Sequence, residues 1–419
     1  MLRPNSVKLV EMDRPEVGGG VCLFLAVLFL FAACTGSGTQ VPLPIEAPVK
    51  STPPPPSTTR RSPSVTFIMG SDDWTYNQYY TMANYYYRLD SADRTDVVVD
   101  GLTSLSQVFD WLRSHPVTHT VTPPPPIDPS LPQPLSHLSP LHVPLPYRLV
   151  NIVSHGNEFI DLQATVTPNG PRISAASLHE AALIPPGSSV VDSNTLVYLH
   201  GCAVGKNQML LDALAEAFGG GATVKASKLF EYYAYLSPNH NPQSISHYYA
   251  RTWYAYYHPD STIDERSLVR QLSKRYPADT VDWRAGLRRR FQNYPSELYH
   301  YSFVVPVRYT EYYDSPEDKP SVSSPKKRQQ WIDNHPDFQS LLDSTHIPRQ
   351  YFQVKFYRMT AVTDDDHIVT GLQARARAGV ICLIQPLTAS DLSEGESSHN
   401  TPFVPLPDDT AIFAFSRKM

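Results

Sequence analysis

The chain has 419 residues, 40 of them proline, and a net charge of −5 with a pI near 6.3. That length suits two domains or one large domain with insertions. The mildly acidic balance offers no electrostatic case for nucleic-acid binding.

Residues 1–20 are polar and mixed in charge, and Val21 to Ala33 is an uninterrupted apolar run. Such a run is too short to span a bilayer comfortably and has the length of a signal-peptide core. It ends Phe31-Ala-Ala-Cys34, which resembles the lipobox of bacterial lipoproteins. Phe31 departs from the usual Leu, and the leader carries Glu11, Asp13 and Glu16. The resemblance implies a signal peptide over 1–33 and a lipidated, palmitate-carrying Cys34 as the first mature residue. It further implies anchoring in the bacterial cell envelope, at the outer membrane. The alternative is a plain N-terminal membrane anchor. Residues 34–64 are rich in Pro, Ser, Thr and Gly, with Pro53 to Pro56 consecutive. They cannot bury enough apolar surface to fold, so they are expected to act as an extended tether.

A folded domain is expected over 65–310. Val65 to Met69 reads as a strand stopping at Gly70, and Tyr79 to Leu89 as a tyrosine-rich helix. Arg94 to Gly101 is a second strand. Ser104 to Arg113 is a helix, with Leu105, Val108, Phe109 and Leu112 at i, i+3, i+4 and i+7. This alternation signals an α/β unit. Pro116 to Pro146 interrupts it, and so many prolines predict an insertion looping off the sheet. Its histidines, His119, His137 and His142, lack the close spacing of a metal site.

Tyr147 to Asn157 and Asn194 to Gly205 share one form. Each is a short apolar run that ends in a reactive side chain beside a glycine: His155-Gly156 in the first, Gly201-Cys202 in the second. Continuous Val/Ile/Leu runs are strands buried on both faces, and predict a mostly parallel sheet flanked by helices. Ligands of such sheets sit off the carboxyl ends of the strands. Between the two runs, Phe159 to Val166 pairs with Arg172 to Ser174 as a hairpin. Gln208 to Phe218 is an amphipathic helix stopping at Gly219, and Thr223 to Ser227 is a fifth strand. Tyr and His are then dense over 230–258 and 299–301; they are expected either to pack with their phenolic tips in water or to wall a substrate groove. Ser302 to Tyr309 is a further strand, placed by Pro306 at an edge or end. Residues 311–328 read as a charged linker, and 329–419 as a small β-containing region of its own.

A thiol becomes a good nucleophile when a base holds or takes its proton, and His155 on a neighbouring strand end can do so. Backbone N–H groups of Gly156 and Cys202 are the candidate donors to a developing oxyanion. His-Gly after one strand and a small residue then Cys after the next, 47 residues apart, resembles the caspase–gingipain–legumain group of cysteine peptidases, where about 50 residues separate the pair in caspases. The resemblance implies a caspase-like fold with His155 as base, Cys202 as nucleophile and Gly156 as oxyanion donor. It implies peptide or protein substrates and no cofactor. The caspase Gln-Ala-Cys-Arg-Gly signature is absent, and His200-Gly-Cys-Ala-Val-Gly205 stands in its place.

Other residues compete for roles. His200 is a second candidate base, but two residues from Cys202 on the same strand its side chain runs parallel, so it is expected to pack or to orient the loop. Lys206 and Asn207 could support an anion, and Asp161 or Asp192 could orient His155. Cys382 could instead bridge Cys202 in an oxidising compartment, making it structural. No G-x-S-x-G, P-loop, Rossmann fingerprint or H-E-x-x-H motif occurs, which argues against serine hydrolases, phosphoryl transfer and zinc hydrolysis. The alternative to a peptidase is a non-catalytic, surface-exposed binding lipoprotein.

Overall fold

The computed structural model describes residues 63–72, 78–89, 96–121, 141–236, 239, 241–290, 298–313, 315, 317–362, 368–387 and 406–417. The leader, Cys34, the tether as far as residue 62 and His137 lie outside the described residues, and Ser64, counted with the tether, already belongs to the first strand. Among the described residues no helix is long and apolar enough to cross a membrane.

Two sheets carry the fold. The first is built from β1 (Ser64–Ile68), β2 (Val97–Asp100), β5 (Leu149–Val153), β8 (Leu196–His200), β9 (Thr223–Ser227) and β15 (Phe413–Ser416), in the order β15-β9-β8-β5-β1-β2. All its pairs are parallel except β15 against β9. Helices α1 (Tyr79–Leu89), α2 (Leu105–Ser114) and α4 (Gln208–Ala217) cover it, while α3 (Ala175–Glu180) lies on the path from β5 to β8. Alternation along the strands divides the core. Val65, Phe67, Val150 and Ile152 meet α2 and α4 on one face, and Ile68 and Val153 meet α1 on the other. Burial on both faces is why these strands read as unbroken apolar runs. Ser104 caps α2 in a capping box with Gln107, which sets the start that the apolar spacing alone suggested. The strands and helices expected over 65–113 and 208–227 are therefore present, within a residue or two at most ends.

The second sheet is antiparallel, with order β10-β11-β14-β12 from β10 (Phe230–Tyr235), β11 (Ile245–Tyr257), β12 (Tyr299–Tyr313) and β14 (Ile368–Pro386), while β13 (Gln353–Val362) also pairs β14. The tyrosine-dense segments are these strands. Small residues Ala374, Ala376 and Ala378 of β14 lie under α7 (Pro325–Asp333) and α8 (Pro336–Asp343), which insert Trp331, Phe338 and Leu342. The opposite face packs Trp253, Ile381 and Leu383 on Leu268 and Leu272 of α5 (Glu265–Arg275) and on Trp283 of α6 (Trp283–Arg288). Pro306 sits in β12, whose described partner is β14 alone, so a missing N–H is tolerated there, as its edge placement anticipated.

Two expectations differ from this architecture. The ends of the 116–146 insertion form a ribbon, β3 (Val117–Val121) against β4 (Leu141–Leu145), with Pro144 opposite Thr118. Alternating β-branched residues at 117–121 favour this pairing over a loop. Residues 329–419 are not set apart either. β14 runs between β11 and β12 in the second sheet, β15 closes the first, and position 310 falls inside β12. These contacts are non-local, so composition at 311–328 carried no sign of them. The hairpin expected between 159–166 and 172–174 is present as a bridge from Thr165 to Arg172, and a further short pairing, not anticipated, joins β6 (Gly156–Asn157) to β7 (Asp161–Leu162).

Phe413 is fully buried on β15, its ring beneath the Lys225 ammonium at 3.6 Å and edge-on to Tyr198 and Tyr249. Phe413→Ala is expected to destabilise the protein by about 3–5 kcal/mol, measured by urea denaturation. A loss below about 1 kcal/mol would show that β15 is not integral to the first sheet.

Candidate functional site

β5 and β8 are adjacent and parallel, with Val153 opposite His200. His155 and Cys202 each lie two residues beyond these paired ends, at the carboxyl edge of the first sheet. The sheet thus brings the two residues to equivalent positions on neighbouring strands. Ser154 N–H donates to the His200 carbonyl at 3.0 Å, tying the two turns together.

Tyrosines from the start of α1 hold this edge. The His155 ring packs against Tyr79 and Tyr80, with centroids 4.7 and 4.6 Å away. Its backbone N–H donates to the Tyr80 hydroxyl at 2.8 Å, and the Tyr79 hydroxyl donates to the His200 carbonyl at 3.1 Å. Burial raises both phenols, and the proximity of Cys202 raises each further. Tyr79 and Tyr80 therefore border both candidate residues.

Cys202 is half-buried, and its thiol donates to the Glu231 carbonyl at 3.5 Å. Burial pushes the thiol up to about 12, partly offset by that hydrogen bond. The resting group is a protonated thiol rather than a thiolate. Cys202 and Cys382 are both free, so the bridge considered from the sequence is not formed. Cys382 is fully buried on β14, in the apolar cluster against which Cys202 packs.

Gly156 begins β6, and a Cβ there would come within 2.4 Å of the Asp161 carbonyl oxygen. The glycine thus admits a neighbouring stretch of this same chain. The supporting residues have other partners. Lys206 pairs with Glu158 at 2.8 Å. Asn207 caps α4 through Leu210 N–H and donates to Asp161 at 2.6 Å. Asp192 accepts from Asn194 N–H. Neither aspartate has a described hydrogen bond to His155.

The chemically densest cluster lies one turn deeper, and only His200 of it was singled out from the sequence. His200 Nδ1 and His247 Nε2 each lie 2.9 Å from Glu231 Oε2. Glu231 is 0% exposed. His200 ends β8, whereas Glu231 and His247 are diagonal neighbours on β10 and β11, where Glu231 pairs Tyr249 and Tyr233 pairs His247. Residues two apart share a strand face, so Glu231, Tyr233, His247 and Tyr249 all look toward β8. Burial pushes the Glu231 carboxyl upward, but the two imidazoles outweigh it and hold the group below the ordinary carboxylate range. Burial lowers His200 against the opposing pull of Glu231. The overlooked signal was a single acid inside Phe230-Glu-Tyr-Tyr-Ala-Tyr235: a carboxylate in a buried strand requires a partner.

No family model, curated protein or solved structure matches this chain.

Asp161 supplies a test of the loop beside Gly156. It adopts φ 53°, a left-handed conformation that Asn tolerates equally, and burial raises its carboxyl from 3.8 to about 6 despite the Asn207 hydrogen bond. A raised carboxyl favours the protonated form in the folded state, so its contribution is greatest below pH 4 and is lost as pH rises through 6. Asp161→Asn is expected to match the parent near pH 4 and to be more stable at pH 8, by up to about 3 kcal/mol. Thermal unfolding across that range checks it, and a constant difference at all pH values contradicts the assignment.

Proposed function

We propose that the chain is a cysteine peptidase of caspase-like architecture, tethered to the cell envelope through a lipid on Cys34, with His155 and Cys202 as its dyad. The observation that carries this reading is their placement two residues beyond the ends of adjacent parallel strands. Sheet edges of this kind hold a base and a nucleophile without a flexible loop.

Because the resting thiol is protonated, the chemistry runs by general-base assistance rather than from a preformed thiolate. The Cys202 sulfur attacks the peptide carbonyl carbon as His155 takes the thiol proton. Backbone N–H groups of Gly156 and Cys202 face the oxyanion. His155 then returns the proton to the departing amine as the C–N bond breaks, leaving a thioester. Water, deprotonated by the same imidazole, cleaves it and restores the thiol. Packing of the His155 ring on Tyr79 and Tyr80 restricts its orientation, which favours a short proton path.

A second reading, a non-catalytic binding lipoprotein, is favoured by the enclosed thiol and its hydrogen bond to Glu231. The two readings separate experimentally. Under the first, Cys202→Ala abolishes peptide turnover and His155→Ala lowers it about 10²–10⁴-fold with the fold intact. The two losses are not additive, since the residues act as a unit. Iodoacetamide labels Cys202 before Cys382, and more slowly once His155 is replaced. Equal labelling rates of Cys202 with and without His155, in folded protein, would falsify the dyad and leave the binding reading.

A further inference from the structure

We propose that His200, Glu231 and His247 bind a divalent transition-metal ion of the zinc class, as a structural pin between the two sheets. Three observations converge on it. The first is the donor set. Two imidazole nitrogens and one carboxylate oxygen all lie within 4.8 Å of one another, and this is a combination that Zn2+ takes. Bonds of about 2.0–2.2 Å place tetrahedral ligand atoms about 3.3 Å apart. The 2.9 Å separations from Glu231 Oε2 to each imidazole nitrogen need only a small opening to admit the ion.

The second observation is the surrounding shell. Ligating histidines usually give their other nitrogen to a fixed acceptor, and His200 Nε2 lies 3.2 Å from Asn151 Oδ1 and 3.0 Å from the Tyr87 hydroxyl, which can accept from it and pass its own proton to the Tyr233 hydroxyl 3.3 Å away. The Asn151 amide nitrogen is itself held, donating to Thr66 Oγ1 at 2.9 Å. With Nε2–H directed at Asn151, the lone pair of His200 falls on Nδ1, facing the Glu231 carboxylate. Two lone pairs at that distance need a proton or a metal ion between them, and the 2.9 Å contact from Nδ1 to the carboxylate is where either would sit. The second carboxylate oxygen, Oε1, accepts from the Tyr198 hydroxyl at 3.5 Å, and the His247 ring stacks on Tyr233 with centroids 4.7 Å apart.

The third is charge. A fully buried carboxylate needs a compensating cation; protonating His200 or His247 would supply one, whereas a metal ion supplies it with both imidazoles neutral. The nearby Lys225 ammonium is turned elsewhere, to the Pro407 carbonyl at 2.7 Å and over the Phe413 ring. A metal ion supplies the charge and at the same time joins β8 of the first sheet to β10 and β11 of the second. Glu231 is 0% exposed and His200 is buried with it, so the role assigned to the ion is structural, and it is independent of whether Cys202 is a nucleophile.

The test uses the untagged full chain, stripped with a chelator and dialysed against buffered Zn2+. The expected result is one equivalent bound, with a Tm that rises with free Zn2+. Cys202→Ala keeps the ion, His247→Gln loses it, and Asn151→Ala binds about 10–100-fold more weakly. Co2+ in place of Zn2+ should give visible d–d bands without a thiolate charge-transfer band, a readout on the parent protein that stands even if His247→Gln does not fold. No Zn2+-dependent change in Tm, or a Co2+ spectrum carrying thiolate charge transfer, would overturn the assignment.

Discussion

The arrangement depends on one buried carboxylate. Glu231 sits at 0% exposure with His200 on one side and His247 on the other. A charge in that position is costly unless its partners are held in exact register. The register comes from two sources: β8 delivers His200 at the end of a parallel strand, and the antiparallel pairing of β10 with β11 sets Glu231 beside His247. The cluster therefore couples the two sheets more strictly than apolar contact alone, because a one-residue slip of either strand would turn one of the three side chains to the opposite face.

That coupling reaches the candidate dyad through short links. The thiol of Cys202 meets the Glu231 backbone carbonyl, and the Tyr79 hydroxyl reaches the His200 carbonyl while its ring packs on His155. The edge carrying His155 and Cys202 is thus built on the polar cluster beneath it. The same enclosure that orders the edge also raises the thiol, so the resting Cys202 is protonated.

The aromatic character of the second sheet has a related cause. Tyr79, Tyr198, Tyr233 and Tyr249 surround the Glu231 cluster, where their rings exclude water and their hydroxyls can satisfy polar groups. Elsewhere on the sheet the need is different. Ala374, Ala376 and Ala378 of β14 leave room for Trp331 and Phe338 from α7 and α8. The composition of each strand follows from what it faces.

Local pattern alone determined the α/β character, the strands ending near His155 and Cys202, and helices such as Tyr79–Leu89 and Gln208–Ala217. Periodicity and caps are written within a few residues, so these are legible without neighbours. Tertiary structure alone decided that β14 and β15 complete two different sheets, since pairing between distant segments leaves no local trace. It also decided that Gly156 accommodates Asp161, and that His200, for which sequence spacing predicts packing or loop orientation, meets Glu231 and His247. Those three residues come from separate strands. Their chemistry exists only once two sheets are pressed together, because burial is what turns one acid and two imidazoles into a single charged unit.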